Sequence, residues 1–505
     1  MASAAPSPQL AAHADAVQQP QDHQHGEIRR ECAQESDDRV EDHVDHQWKP
    51  PPDTVGPQPE DQRADGAHEQ GGGGDERDFG LAVMEGLRDV GVHQDDDEVI
   101  ESVHGPAQQR GNERVSLVGG QPLRGHVSIV AYRTRSRAFQ HPIPESKLPI
   151  MRIIDADGHV AENSSLAIEA IKRWPEHVKP STDGRLRLTF EGRNYPEDQG
   201  PGAGCPPEHG ISKAPDINCR SPEGVLGDAD RDHIDTMVLY PSLGLCAPSL
   251  EDPEFAAGFS RLYNQWIADY CASSGGRLRG VAVTPIEHGR AAIDIMTEAK
   301  DLGLVATLVP PALKTRNLDH PDLDPFYAAA VELQMPLGIH GAPGIHLPKI
   351  GVDRFTNYIQ VHCISFPFDQ MTAMTALVSG GVFERHPRLR VAFLEAGAGW
   401  VPFFIDRLHE HYEKRGYWVE RGWRRDPHEY LAAGNIFVTC EPEEPILPGV
   451  IDVLGADFIM FASDYPHWDG EWPESTKHLR TRPDISEEAR EKIGGLNAQH
   501  FYNLN

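Results

Sequence analysis

Met151-Arg-Ile-Ile-Asp-Ala-Asp-Gly-His159 is a short apolar run that ends in two acids and a histidine. Its branched residues and its length suit a buried strand, and its polar end suits the point where a strand meets a loop. Seven further Val/Ile/Leu-rich runs follow, at 236–241, 280–285, 305–310, 336–340, 389–395, 435–441 and 458–464, giving with 152–157 a total of eight. Between them lie stretches with apolar residues recurring at three and four, including 253–273, 289–302, 322–333 and 368–384. In the last of these, Met371, Met374, Thr375 and Val378 make a stripe read as core. Strands alternating with helices build parallel sheet, and eight of them close a (β/α)8 TIM barrel. A doubly wound sheet is the alternative, but no G-x-G-x-x-G follows the first strand.

The first 150 residues read differently. They hold 15 of the 21 Gln and 10 of the 26 His, with only Trp48, Phe79, Tyr132 and Phe139 as aromatic residues. Such a segment buries little apolar surface, so residues 1–150 are expected to be a disordered tail or an extension translated from non-coding sequence. Met151 is then the expected natural start, and 151–505 the functional barrel. Residues before Met151 in the intact mass of the native protein would refute that start.

The chain carries a formal net charge of -31, and both parts are acidic. No basic stripe is present to neutralise phosphate, which excludes nucleic acid and anionic membrane as expected partners and leaves a small-molecule substrate. The seven cysteines are odd in number and never form a C-x-x-C pair, so reduced thiols and a cytoplasmic location are expected. A Cys205/Cys219 metal clip is the minor alternative. No apolar run is long enough to span a bilayer.

About 75 residues separate the first two strands, more than a crossover needs. The stretch 185–195 alternates like a hairpin. The whole insert, 163–230, is expected to cap the active-site face.

Catalytic residues of such a barrel project from the C-terminal ends of strands. Asp157 and His159 close the first, His340 the fifth, Glu395 the sixth and Asp464 the eighth. Asp157 and His159 are two apart on an extended segment and share a side of the pleat. Imidazole and carboxylate together suit a divalent ion such as Zn²⁺ with one coordination position left open. His467 and His346 follow two of these strands and are candidates for holding substrate; His362 lies further off. Trp468, Trp472, Phe366 and Arg316 are candidates for stacking or for pairing with a substrate carboxylate. His409 and His411, at i and i+2 on a helix, do not share a face and are rejected as a ligand pair.

At these residues the chain resembles the amidohydrolase-related family, in the branch of the α-amino-β-carboxymuconate-ε-semialdehyde decarboxylase and the aromatic-acid decarboxylases. The motifs that carry the resemblance are Ile153-Ile-Asp-Ala-Asp-Gly-His159, Pro336-Leu-Gly-Ile-His340, Phe383-Glu-Arg-His-Pro-Arg-Leu-Arg-Val391 and Ser463-Asp-Tyr-Pro-His467. The resemblance implies one divalent metal ion, Zn²⁺ or Mn²⁺, on Asp157, His159, His340 and Asp464. It implies Asp464 and Glu395 as catalytic residues and a homodimer. Two positions depart from the family's commonest pattern. Asp157 stands where many members have His or Glu, and Glu395 stands where many have a histidine implicated in proton handling. The expected activity is decarboxylation of a small aromatic or unsaturated carboxylic acid, with His467, Trp468 and Arg316 on the substrate. Hydrolysis of an ester, lactone or amide by a metal-activated water is the first alternative, and a ligand-binding barrel without turnover the second.

Overall fold

The computed structural model describes residues 151–181, 188–204, 210–214 and 216–504. The expected N-terminal tail and Cys205 lie outside the described residues. The barrel strands are β1 (Ile154–Val160), β5 (Thr236–Pro241), β6 (Leu278–Ala282), β7 (Ala306–Val309), β8 (Leu337–Ile339), β9 (Val391–Phe393), β10 (Ile436–Cys440) and β11 (Ile459–Phe461). They form one eight-stranded sheet in chain order, and every pairing is parallel. Each of the eight apolar runs is thus a strand. β2 (Val178–Pro180), β3 (Leu188–Phe190) and β4 (Arg193–Tyr195) make a small antiparallel sheet after β1.

The seam between first and last strands is closed by backbone bonds at the mouth. His159 N donates to Tyr465 O at 2.6 Å, and Asp464 N donates to Asp157 O at 3.2 Å. Inside the barrel, the large Tyr240 side chain packs against a glycine. A Cβ on Gly338 would lie 2.1 Å from the Tyr240 hydroxyl, so only glycine fits there. That hydroxyl meets Tyr502 OH at 3.0 Å, and Tyr502 donates to Ala156 O at 2.7 Å, tying the last helix to β1.

Among the helices, Pro253–Ala272, Arg290–Asp301 and Asp324–Glu332 sit where periodicity placed them. The fourth begins earlier than expected, running Tyr358–Ser379 with Pro367 inside it. Its N-cap is Asn357, whose carboxamide accepts from Ile359 N at 3.0 Å. Buried Gln370 on this helix donates to Ile339 O and Leu394 O at 3.0 and 2.7 Å, holding it over the ends of β8 and β9. Of the expected core stripe, Met374 and Val378 are buried, whereas Thr375 is exposed and its hydroxyl donates to Met371 O.

The hairpin expected near 185–195 turns at Glu191 and Gly192, both at positive φ, the geometry a two-residue turn demands. The insert meets loops at the mouth. Ser212 N donates to Pro466 O at 2.8 Å, Glu197 N to Gly344 O at 3.0 Å, and His346 Nε2 lies 2.7 Å from Asn194 O. The described cysteines, Cys219, Cys246, Cys271, Cys363 and Cys440, are free thiols. Among the described residues no helix is long and apolar enough to cross a membrane.

Candidate metal centre

The pairing register of β1 shifts between Asp155 and Gly158, a bulge of the kind that re-aims side chains beside active sites. Asp155 is buried behind it, accepting from Ser463 N at 3.0 Å, from Ser463 Oγ and from Asp157 N at 3.2 Å. A Cβ on Gly158 would come 2.8 Å from Asp155 Oδ2, so glycine permits this close fold of the strand. With the bulge in place, Asp157 and His159 both face the barrel axis, Oδ1 to Nε2 at 3.9 Å.

His159 Nδ1 lies 3.1 Å from Pro241 O and His340 Nδ1 lies 2.8 Å from Gly341 O. Each carbonyl requires the Nδ1–H tautomer, which leaves both Nε2 lone pairs bare. Those atoms face each other at 3.2 Å. His340 Nε2 is also 2.8 Å from Glu395 Oε2 and 3.8 Å from Asp157 Oδ1, while His159 Nε2 is 3.5 Å from Asp464 Oδ1. Asp157 Oδ1 is buried without a hydrogen-bond partner. Bare lone pairs and an orphaned carboxylate oxygen converging on one point fit a cation, and the Nδ1–H to carbonyl bonds are the outer contacts that orient metal-binding imidazoles. The residues present therefore fit a divalent ion.

Burial disfavours the charged form of the groups in this cluster. Burial drives Asp157 well above the usual carboxylate range, with Glu395 and Asp464 adding to the push while His340 opposes it. Burial likewise raises Glu395 to about 8, and raises Asp464, which Glu395 and Asp469 push further. Both histidines are lowered by burial, His159 strongly.

Glu395 and Asp464 each sit at φ 52°, in the left-handed region that costs on the order of 1–3 kcal/mol for a residue with a side chain. Glu395 N donates to Thr439 Oγ1 at 3.1 Å, and Asp464 N closes the barrel seam. His467 joins the centre, its Nδ1 2.9 Å from Asp464 Oδ1 and its Nε2 3.3 Å from Ser242 Oγ. The structure thus brings Asp157, His159, His340, Glu395, Asp464 and His467 together.

The remaining candidates separate. Trp468 stands at the rim, its Nε1 donating to Tyr358 OH at 3.2 Å and its ring 5.5 Å from that of His362. Phe366 turns its edge to His340 at 6.3 Å. Trp472 is buried elsewhere, donating to Asp228 O under the Arg231 guanidinium. Arg316 is held in the loop after β7 by Glu287 at 3.1 Å and Asp322 at 3.3 Å, away from the cluster. His346 is engaged with the insert. His409 pairs with Asp426 and His411 bonds to its own helix, so they share no site.

Sequence reasoning ranked His362 low, yet it lies beside Glu395 and 3.4 Å from Asp469. The sequence carries a signal for it in the i, i+4, i+8 spacing of Tyr358, His362 and Phe366, one face of a helix that runs through Pro367.

The chain is similar to a 2-amino-3-carboxymuconate-6-semialdehyde decarboxylase from Dictyostelium discoideum, 25% identical over 57% of this chain and 78% of the relative. It is similar to a gamma-resorcylate decarboxylase from Rhodococcus jostii, 27% identical over 54% of this chain and 85% of that one. Its fold is that of the 5-carboxyvanillate decarboxylase from Novosphingobium aromaticivorans, solved with manganese and 4-hydroxy-3-methoxy-5-nitrobenzoic acid. The TM-score is 0.52 at 19% identity, covering 70% of this chain and 96% of the other. The amidohydrolase family model matches residues 154–504, from β1 through the last helix, and the chain belongs to that family.

Proposed function

We propose that this protein is a metal-dependent carboxy-lyase for a small aromatic or unsaturated carboxylic acid. The observation that carries the reading is the convergence of His159 Nε2, His340 Nε2 and the orphaned Asp157 Oδ1 beside Asp464. The choice of decarboxylation is supported by relatives that bear decarboxylase names. Asp157, His159, His340 and Asp464 would hold the ion, Zn²⁺ or Mn²⁺. The chemistry it supplies when bound is Lewis acidity toward a substrate carboxylate or neighbouring oxygen.

Asp464 delivers the proton. Its carboxyl protonates the carbon that bears the carboxylate, the bond to that carboxylate breaks, the electron pair restores the conjugated system, and CO₂ departs. His467, bonded to Asp464 Oδ1 and in reach of Ser242, orients that carboxyl and returns a proton to it. With the carboxylate of Glu395 at the end of the sixth barrel strand, the proton task falls to Asp464 and His467. Trp468 offers an aromatic face at the rim, and the described residues Asn194, Glu197 and Ser212 of the insert meet loops at the mouth. Arg316 is spoken for by Glu287 and Asp322 and is set aside as the carboxylate clamp. We take 151–505 as the functional unit.

The test is a screen of hydroxybenzoic acids and unsaturated carboxylic acids for CO₂ release with metal-loaded protein, using Asp464→Asn as control. CO₂ release that Asp464→Asn abolishes supports the reading. Hydrolysis of an ester, lactone or amide without CO₂ release overturns it.

A further inference from the structure

We infer that the buried ion pair Lys349–Asp369 is a clamp that positions His340, holding the Gly341 carbonyl on its Nδ1 so that Nε2 stays bare for the ion. The inference deepens the proposed metal centre and rests on it, since His340 is one of the residues that would hold the ion. His340 is gripped on both sides by a single helix, Tyr358–Ser379. Before it in the chain, Ile339 O accepts from Gln370 Nε2 at 3.0 Å. After it, Gly341 lies against the neighbouring helix residue, Asp369. A Cβ on Gly341 would meet Asp369 Oδ2 at 3.0 Å, Pro311 Cγ at 3.1 Å and Lys349 Nζ at 3.3 Å. The loop after β8 thus doubles back, and its Lys349 ammonium bonds Asp369 Oδ2 beside the backbone of Gly341. The Gly341 carbonyl, held by this packing, is the one that lies 2.8 Å from His340 Nδ1.

The pair is a poor device for stability alone. The side chains of Lys349 and Asp369 are 4% and 7% exposed. Taking two charges out of water costs about as much as their attraction returns, and well-packed apolar side chains of similar volume commonly hold a fold as well. What a charge-assisted hydrogen bond adds is a directed contact with one geometry, here between a loop and a helix.

His340 needs that geometry. A neutral imidazole carries its proton on either nitrogen, and only the Nδ1–H tautomer turns a lone pair toward His159 Nε2 and Asp157 Oδ1. The acceptor behind Nδ1 selects it, and that acceptor belongs to glycine, whose backbone rotates more freely than that of any other residue. A flip of the peptide between Gly341 and Ala342 would present an N–H to Nδ1 in place of the carbonyl and select the other tautomer. Lys349 and Asp369, packed on Gly341, oppose that flip. Both are positioning residues, acting on the ion through His340.

The experiment compares the full chain with Lys349→Met, with Lys349→Arg and with the apolar pair Lys349→Met/Asp369→Val. In chelator-stripped protein carrying ¹⁵N-labelled histidine, long-range proton–nitrogen correlation reads the His340 tautomer, its signal assigned by loss in His340→Gln. Calorimetry reads Mn²⁺ affinity, and urea denaturation midpoints read stability. The expected result is a single Nδ1–H tautomer in the unaltered chain. Lys349→Met is expected to show mixed tautomers, a lower midpoint and Mn²⁺ binding weaker by about 10- to 100-fold. The apolar pair is expected to recover the midpoint but neither the tautomer nor the affinity. Lys349→Arg, which keeps the charge, should recover both. An unchanged tautomer and Mn²⁺ affinity in the apolar pair overturn the inference and leave an ion pair that serves the fold alone. An Nε2–H tautomer in the unaltered chain overturns it as well. Absence of Mn²⁺ binding by the unaltered chain overturns the metal reading instead, while the tautomer, read without metal, still decides the clamp.

Discussion

His159 and His340 present Nε2 atoms to each other across 3.2 Å, and both are locked in that aspect by carbonyls behind their Nδ1 atoms. Two lone pairs repel at that distance unless a cation lies between them. Removing one imidazole is therefore expected to remove the proposed ion. His340→Ala is expected to reduce bound metal by more than tenfold, and chelation of the unaltered protein to lower its thermal stability. At a metal concentration about 1,000-fold above Kd, the stability difference should approach about 4 kcal/mol. Elemental analysis and differential scanning calorimetry, with and without chelator, check both.

Gly158→Ala probes the bulge that aims Asp157 and His159. The added methyl meets Asp155 Oδ2 at 2.8 Å and Met237 Cε at 3.2 Å, so the strand must shift. A loss of about 1–3 kcal/mol is expected in urea denaturation, together with weaker metal binding. Unchanged affinity alongside the stability loss would separate the bulge from the site.

Ser463→Ala strips Asp155 of its hydroxyl partner and leaves a buried carboxylate oxygen short of a donor. The expected cost is about 1–3 kcal/mol, read as a lower denaturation midpoint at unchanged m-value. Ser463→Thr, which keeps the hydroxyl, should recover part of it.

In the proposed reaction His467 is a positioning residue. His467→Asn should lower kcat by about 10²-fold or more while changing KM little, since it acts on Asp464 rather than on the ion. Metal content equal to the unaltered protein is part of the expectation. If KM rises and kcat holds, His467 binds substrate instead.

Away from the centre, Asp324 contributes to acid stability. Burial pushes its carboxyl up, but Arg385, Arg421 and His386 win and hold it below the usual range. A depressed folded pKa means that this stability is full above the unfolded value of about 3.9 and is lost as pH falls through the folded one. Asp324→Asn is expected to lower stability at neutral pH and to flatten its fall below about pH 4. Denaturant midpoints at pH 7 and pH 3 give the comparison.

The barrel was legible because each buried strand announces itself as an unbroken apolar run, and the four strand-end ligand candidates because barrel chemistry sits at strand ends. What stayed hidden depended on contacts between distant segments. Arg316 reads as a free cation until Glu287, twenty-nine positions upstream, is seen to hold it. His362 falls outside the helix expected over 368–384, yet the helix runs through Pro367 from a cap at Asn357. The β1 bulge leaves no pattern in composition, since it exists only in the register against β5.

The bonds that close the seam run from His159 to Tyr465 and from Asp464 to Asp157, so the first and last strands of the barrel meet where the ion is expected. Synthesis makes β1 first and β11 nearly last, and the ring is incomplete until both exist. A nascent or truncated chain thus cannot assemble half a site and display it early. For the same reason an exchange of the opening or the closing motif alone would break the hoop and the proposed chemistry together.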